Sequence, residues 1–194
     1  MPIAPDSRLI HLLATRSTRV GQFTLASGRS STIYIDARLT TMSPDGMALV
    51  GSMGFSAVLE RFPDTQAIGG LTMGADPIAY AISFASAGTE HPLRAFTVRK
   101  EPKAHGTGKV VEGPFCTGDS VTIIEDVITT GGSALRAAQS VELAGGKIAG
   151  ILALVDRQEG GSEALALAGY HVHALTTAEQ LLHHRAQLDT VGPS

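Results

Sequence analysis

The chain is poor in cysteine, and the one it has, Cys116, rules out an internal disulfide and any metal site built from several cysteines. No apolar run approaches the roughly 18 residues needed to cross a bilayer, so no membrane association is expected. The first residues lack a basic stretch followed by an apolar one, so no signal peptide is read and the cytoplasm is the expected location. Positive charge is also short. Against 18 Asp and Glu stand 15 Lys and Arg, a formal charge of −3, whereas general nucleic-acid binders carry a clear positive excess. Internal repeats and low-complexity linkers are missing, so the 194 residues read as one domain, with at most a small appendage and enough chain for a well-buried core.

What is there is concentrated at residues 121–133. Residues 121–125 read as an apolar strand ending in the acidic pair Glu125 and Asp126, and Thr129, Thr130, Gly131, Gly132 and Ser133 form a turn that opens a helix. Backbone N–H groups of Thr130 to Ser133 would point at a phosphate from that helix N-terminus, with the Thr129, Thr130 and Ser133 hydroxyls as further donors. Glu125 and Asp126, acceptor-only when ionised, suit the two hydroxyls of a ribose. A nucleotide-binding P-loop would carry a lysine in its glycine-rich turn, and this turn has none.

Around this segment strands alternate with helices. A helix is expected over 6–19, then two strands, 22–26 and 32–37, joined by a turn. Ser43 caps a helix with Pro44 at its first position that runs to Phe62. Strands are expected at 67–71, 93–98, 148–155 and 170–175, and helices at 77–87, 132–144, 163–168 and 177–184, with the tail after Gln187 unanchored. That order implies a parallel sheet with right-handed crossovers and ligands at the carboxyl ends of the strands. The rule brings 71–76, 99–108, 125–133 and 156–161 to one sheet edge. His171, His173, His183 and His184 have no carboxylate or cysteine at a spacing that would complete a metal site, and read as surface residues.

One of those edge segments is cationic. Residues 94–109 hold Arg94, Arg99, Lys100, Lys103 and Lys109 against the single Glu101, a patch suited to a small polyanion. Within it, 99–109 is a long polar stretch in which Gly106 and Gly108 let the backbone fold over a ligand, and long loops in compact domains are usually functional or disordered.

The thirteen residues 121–133 resemble the phosphoribosyl pyrophosphate (PRPP) motif of the type I phosphoribosyltransferases. The string Arg99-Lys100-Glu101-Pro102-Lys103-Ala104-His105-Gly106-Thr107-Gly108 is similar to the catalytic loop of the orotate phosphoribosyltransferase family. Phe23 to Arg29 and Tyr34 to Arg38 resemble that family's N-terminal hood, Gly69 to Asp76 its pyrophosphate turn, and Val155 to Gly161 its orotate segment, all in family order. The resemblance implies a central, mostly parallel sheet flanked by helices, with a helix and hood at 1–42 and the α/β core at 43–194. It implies transfer of 5-phosphoribosyl from PRPP to orotate in UMP biosynthesis, with Mg²⁺ held chiefly by substrate oxygens rather than by assigned protein ligands.

Site roles follow from the same resemblance. Glu125, Asp126, Val127, Ile128, Thr129, Thr130, Gly131, Gly132 and Ser133 bind PRPP; Gly74 and Ala75 meet pyrophosphate; Arg157 and Thr129 meet orotate. Lys103, His105, Arg99 and Lys100 stabilise the leaving group, with Lys103 or His105 also a proton source, and Asp126 favours the cationic sugar. The loop 99–109 serves the neighbouring subunit of a homodimer. The chain departs from many relatives in carrying Ser30-Ser31-Thr32 for Lys-Ser-Pro, and from some in carrying Ala26 for lysine, so a ligand contact from a hood lysine is either missing or replaced, by Arg29 or Arg38. A purine-type phosphoribosyltransferase would not explain the 99–108 string, and a PRPP-sensing regulator would need a DNA-binding module longer than residues 1–20.

Overall fold

The computed structural model describes residues 7–24, 30–101 and 109–191. The chain opens with α1 (Ser7–Leu12) and a π-helical turn, Leu13–Ser17, then β1 (Thr18–Thr24) and β2 (Ser30–Ile35). These two strands form their own antiparallel sheet, in register from Thr18 opposite Ile35 to Thr24 opposite Ser30, with an irregularity between Val20 and Phe23. The expected first helix therefore ends sooner: Thr18 and Val20, both β-branched, belong to the strand.

The remaining elements are α2 (Arg38–Thr41), α3 (Pro44–Arg61), β3 (Ala67–Leu71), α4 (Asp76–Ser86), β4 (Arg94–Val98) and β5 (Val111–Glu112). After them come β6 (Ser120–Ile128), α5 (Gly132–Leu143), β7 (Lys147–Asp156), α6 (Gly161–Leu167), β8 (Val172–Thr177) and α7 (Ala178–Val191). Ser43 caps α3 as expected, its hydroxyl accepting from the Gly46 N–H at 3.3 Å. The main sheet has the order β5-β4-β3-β6-β7-β8, parallel throughout except for β5, which runs antiparallel to β4.

Side chains alternate across this sheet, so its central strands feed two cores. Ile124, Leu152 and Leu154 pack with Leu9, Val50, Val58, Ile82 and Leu181 beneath α1, α3, α4 and α7. Ile123, Ile151 and Ala153 pack with Ala134, Ala138, Val141 and Leu165 beneath α5 and α6 on the other face. No described helix is long and apolar enough to cross a membrane.

Three expectations are corrected. β6 runs on to Ile128, because Glu125, Val127 and Ile128 pair with Ala153, Val155 and Asp156; carboxylates inside a strand look like its end when only the sequence is read. Two short elements, α2 and β5, have too few residues to show a period. The tail after Gln187 is helical to Val191, in α7, which is tied back where Arg185 donates to the carbonyls of Ala14 at 2.8 Å and Thr18 at 3.0 Å.

Connectivity locates the crevice. From β3 the chain crosses through α4 to β4, on one side; from β6 it crosses through α5 to β7, on the other. Beyond the carboxyl ends of β3 and β6 the crossovers diverge, which opens a gap at the point where parallel sheets hold their ligands.

Candidate active site

A cleft of about 370 Å³ occupies that gap. Its floor is the end of β6. Glu125 is buried, and its Oε2 finds no hydrogen-bond partner among the described residues. Asp126 is half-buried, accepts the Val127 N–H at 2.8 Å, and lies so close to Gly74 that a methyl there would overlap its carboxylate. Burial, then the adjacent Asp126 charge, pushes the Glu125 carboxyl up to about 8. Burial also raises Asp126, against the pull of the Val127 N–H and the more distant Arg38 charge. Two adjacent carboxyls with little water cannot easily hold two charges, so the pair favours keeping a proton to higher pH than either acid would alone.

That proton sets a stability slope. In the unfolded chain Glu125 ionises near its ordinary value of 4.5, while in the folded chain it keeps its proton to about 8, so the folded state binds more protons between those values. Stability from this residue is therefore present below the lower value and is lost as pH rises through the window. Glu125→Gln is expected to flatten the slope, its melting temperature gaining several degrees on wild type between pH 5 and pH 9, roughly as a few kcal/mol would give in a chain of this size. Thermal unfolding of both proteins across that range checks it; a difference independent of pH would refute the assignment.

Next to the acids lies a small hollow of about 40 Å³ lined by Glu125 and residues 127–133, the segment expected to hold a phosphate. Gly131 takes φ +79°, and a Cβ there would press on the Gly161 carbonyl and Leu165 at 2.9 Å, so both backbone angle and space demand glycine. No side chain caps the helix that follows, which leaves its first N–H groups for an anion.

On the β3 side the turn after Leu71 is fastened by Asp76, a residue whose role the sequence alone did not show. Its carboxylate accepts from the Thr72 hydroxyl and the Thr97 hydroxyl, each at 2.6 Å, so the turn is fixed to the neighbouring strand β4. Gly74 lines the cleft beside Thr72 and Met73. Ala75 does not: its side chain is in the core, leaving only its backbone available to a ligand.

The cationic loop springs from a hairpin. Thr97 pairs with Glu112, Val98 with Val111, and the Arg99 N–H donates to the Val110 carbonyl at 2.9 Å, closing the base of residues 100–109. Lys100 lines the cleft of its own chain, while its carbonyl accepts from Arg136 at 3.0 Å. Half-buried Arg99 donates to the Glu101 carbonyl at 3.4 Å. Lys103 and His105 lie outside the described residues, as do Ala26 and Arg29 of the hood.

Arg157, expected to face a ligand, is buried and committed. Its Nη2 donates to Ser31 Oγ at 2.8 Å and to the Ile33 carbonyl at 3.3 Å, and pairs with Glu159 at 2.6 Å. Its backbone N–H donates to the Ile128 carbonyl, and its Nε is buried with no partner among the described residues. It thus joins the hood to the end of β7 and stands outside the residues that line the larger cleft, as does Thr129, which lines the phosphate hollow. The hood wall consists instead of Tyr34, Ile35, Asp36 and Arg38. Of these, the sequence points only to Arg38 as a ligand residue; the charge pair Asp36 and Arg38 directly after an alternating strand is the signal for the rest of this wall.

A parallel sheet with an acid pair at its switch point, running straight into an uncapped phosphate turn, is the arrangement of a type I phosphoribosyltransferase, and the fold is of that type. Yeast adenine phosphoribosyltransferase, at 19% identity and a TM-score of 0.66, shares the fold over 88% of this chain and 99% of that one. No protein-family model matches the chain. Whole-length relatives do: it is 43% identical over 173 residues to the orotate phosphoribosyltransferase of Rhodopirellula baltica (87% of this chain, 90% of that one), and 42% identical over 178 residues to that of Aquifex aeolicus (90% and 96%). Among solved structures, it is similar to the orotate phosphoribosyltransferase of Mycobacterium tuberculosis H37Rv in complex with PRPP, with 35% identity, a TM-score of 0.73, and coverage of 90% of this chain and 97% of that one. The chain belongs to the orotate phosphoribosyltransferase family.

Proposed function

We infer that this chain transfers the 5-phosphoribosyl group of PRPP to a ring nitrogen of orotate, giving orotidine 5′-monophosphate and pyrophosphate in UMP biosynthesis. The observation that carries the reading is buried Glu125 with half-buried Asp126 beside the uncapped turn Thr129 to Ser133, at the divergence of β3 and β6. As the bond from the anomeric carbon to pyrophosphate breaks, negative charge grows on the leaving oxygen and positive charge on the sugar. Asp126 and Glu125 would hold the ribose hydroxyls and favour the cationic ring. Residues Val127 to Ser133 would wrap the 5-phosphate, and the backbone at Gly74 and Ala75 would meet the diphosphate.

Arg99, Lys100, Lys103 and His105 would stabilise the departing pyrophosphate, with Lys103 or His105 supplying a proton. Thr129 and Arg157 are the proposed orotate contacts; the planar guanidinium suits a carboxylate. Mg²⁺ fits the same chemistry. The cleft offers hard carboxylate oxygens at Glu125 and Asp126, and the ion would be held mainly by diphosphate and ribose oxygens, where it offsets part of the leaving-group charge.

We also propose a cytoplasmic homodimer in which the 99–109 loop reaches the neighbouring cleft. An apolar groove of about 630 Å³ between α3 and α4, lined by Met47, Tyr80 and an 85% exposed Phe84, supports a partner surface.

The reading is tested by following orotate absorbance with PRPP and Mg²⁺, alongside guanine, hypoxanthine, adenine and uracil. Consumption of orotate alone is expected; turnover of a purine with orotate untouched would overturn it.

A further inference from the structure

Beyond its candidacy to replace a hood lysine, Arg38 has no role in the scheme above, although it stands in the cleft wall. Its fork is held by one carboxylate: Nε donates to Asp36 Oδ1 at 2.8 Å and Nη2 to Asp36 Oδ2 at 3.0 Å, while the Arg38 backbone N–H also reaches Oδ1 at 3.2 Å. A guanidinium has five N–H donors in one plane. Two are spent on Asp36, and those of Nη1 have no hydrogen-bond partner among the described residues. The side chain is 45% exposed, so the unspent donors are open to the cleft rather than locked in a core.

Position says what they meet. Arg38 shares the cleft with Asp126, where its charge is felt, and with Thr72, Met73 and Gly74 at the end of β3. Arg157 and Thr129 are not among the residues lining this cleft. A ligand held by the acids and the phosphate hollow would thus present its diphosphate, not its base, to Arg38. The cleft also carries three carboxylates, Asp36, Glu125 and Asp126, against Lys100 and Arg38. A polyanion entering it needs each of those cations, and a guanidinium already oriented by a carboxylate loses little freedom on binding.

We propose that Arg38 is a diphosphate-binding residue, donating from Nη1 to an oxygen of the PRPP diphosphate and held in position by Asp36. The proposal rests on the phosphoribosyltransferase reading and adds a cation supplied by the same chain as the acid pair. It also assigns to Arg38, at the exit of β2, a contact on the leaving-group side rather than the base side of the substrate.

Steady-state kinetics of Arg38→Ala and Arg38→Lys test it, in the forward direction with PRPP and in reverse with pyrophosphate and orotidine 5′-monophosphate. Losing a charge-assisted hydrogen bond is expected to raise the KM for both PRPP and pyrophosphate by about tenfold to a hundredfold. The KM for orotate should stay within about twofold. The lysine variant, with its charge but no planar fork, should recover only part of the loss. Unchanged PRPP and pyrophosphate constants would reduce Arg38 to a surface ion pair, and a rise confined to orotate would move it to the base; either result overturns the proposal. Titration calorimetry of PRPP with Mg²⁺ into folded Arg38→Ala, its unfolding temperature checked against wild type, gives a second measure. Wild type that fails to turn over orotate would instead remove the functional reading itself, so the two failures are distinguishable.

Discussion

Asp126→Asn is expected to weaken PRPP binding by about tenfold to a hundredfold, the cost of exchanging a charge-assisted hydrogen bond for a neutral one in a half-buried site. The substitution is nearly isosteric, so the close approach to Gly74 survives. One Asp126 oxygen already accepts the Val127 N–H. In asparagine the oxygen must keep that bond, and the amide that replaces the second oxygen is a donor where the ribose needs an acceptor. Binding should therefore fall without a matching fall in stability. Because burial raises the Asp126 carboxyl above its usual range, the neutral variant escapes an ionisation cost, and its melting temperature should equal or exceed that of wild type at alkaline pH. Calorimetric titration with PRPP and thermal unfolding read the two quantities separately. An unaltered PRPP dissociation constant would remove the ribose assignment.

Lys103→Ala should lower kcat by about a hundredfold to a thousandfold while the orotate dissociation constant moves little. The argument concerns charge that appears only as the bond breaks: a lysine serving the departing pyrophosphate contributes to the transition state and not to the base subsite. Rapid-mix turnover together with equilibrium orotate binding separates these, and unchanged turnover would take Lys103 out of the mechanism. The same variant examines the proposed exchange of loops. When Lys103→Ala subunits are mixed with Asp126→Asn subunits, a hybrid dimer places both lesions in one cleft and leaves the other intact only if loops cross. At PRPP concentrations that leave Asp126→Asn largely unliganded, activity on mixing above that of either parent is the expected result; a mixture no more active than its components would return the loop to its own chain.

Much of the site was legible because its chemistry is local in sequence. The acid pair, the hydroxyl-rich turn and Gly131 lie within a few residues of one another, and the spacing from strand to helix dictates where they end up. Alternation of strand and helix likewise announced a parallel sheet. What stayed hidden depends on distant partners. Asp76 gains its meaning only when β4 brings Thr97 to it. Arg157, expected to meet a ligand, is buried and bonded to Ser31 and Ile33, more than a hundred residues earlier in the chain. The continuation of β6 past Glu125 to Ile128 was hidden by its own carboxylates, since charge normally marks the end of a buried strand, and pairing with β7 carries the strand on.

That pairing has a consequence for sugar choice. Pairing with Ala153 fixes the backbone of Glu125, and its side chain is buried there, so the carboxyl has little access to water when no ligand faces it. Under the proposed ribose role, a deoxyribose donor would leave this buried side chain without its partner, so ribo-donors are expected to be used in preference to deoxy-donors.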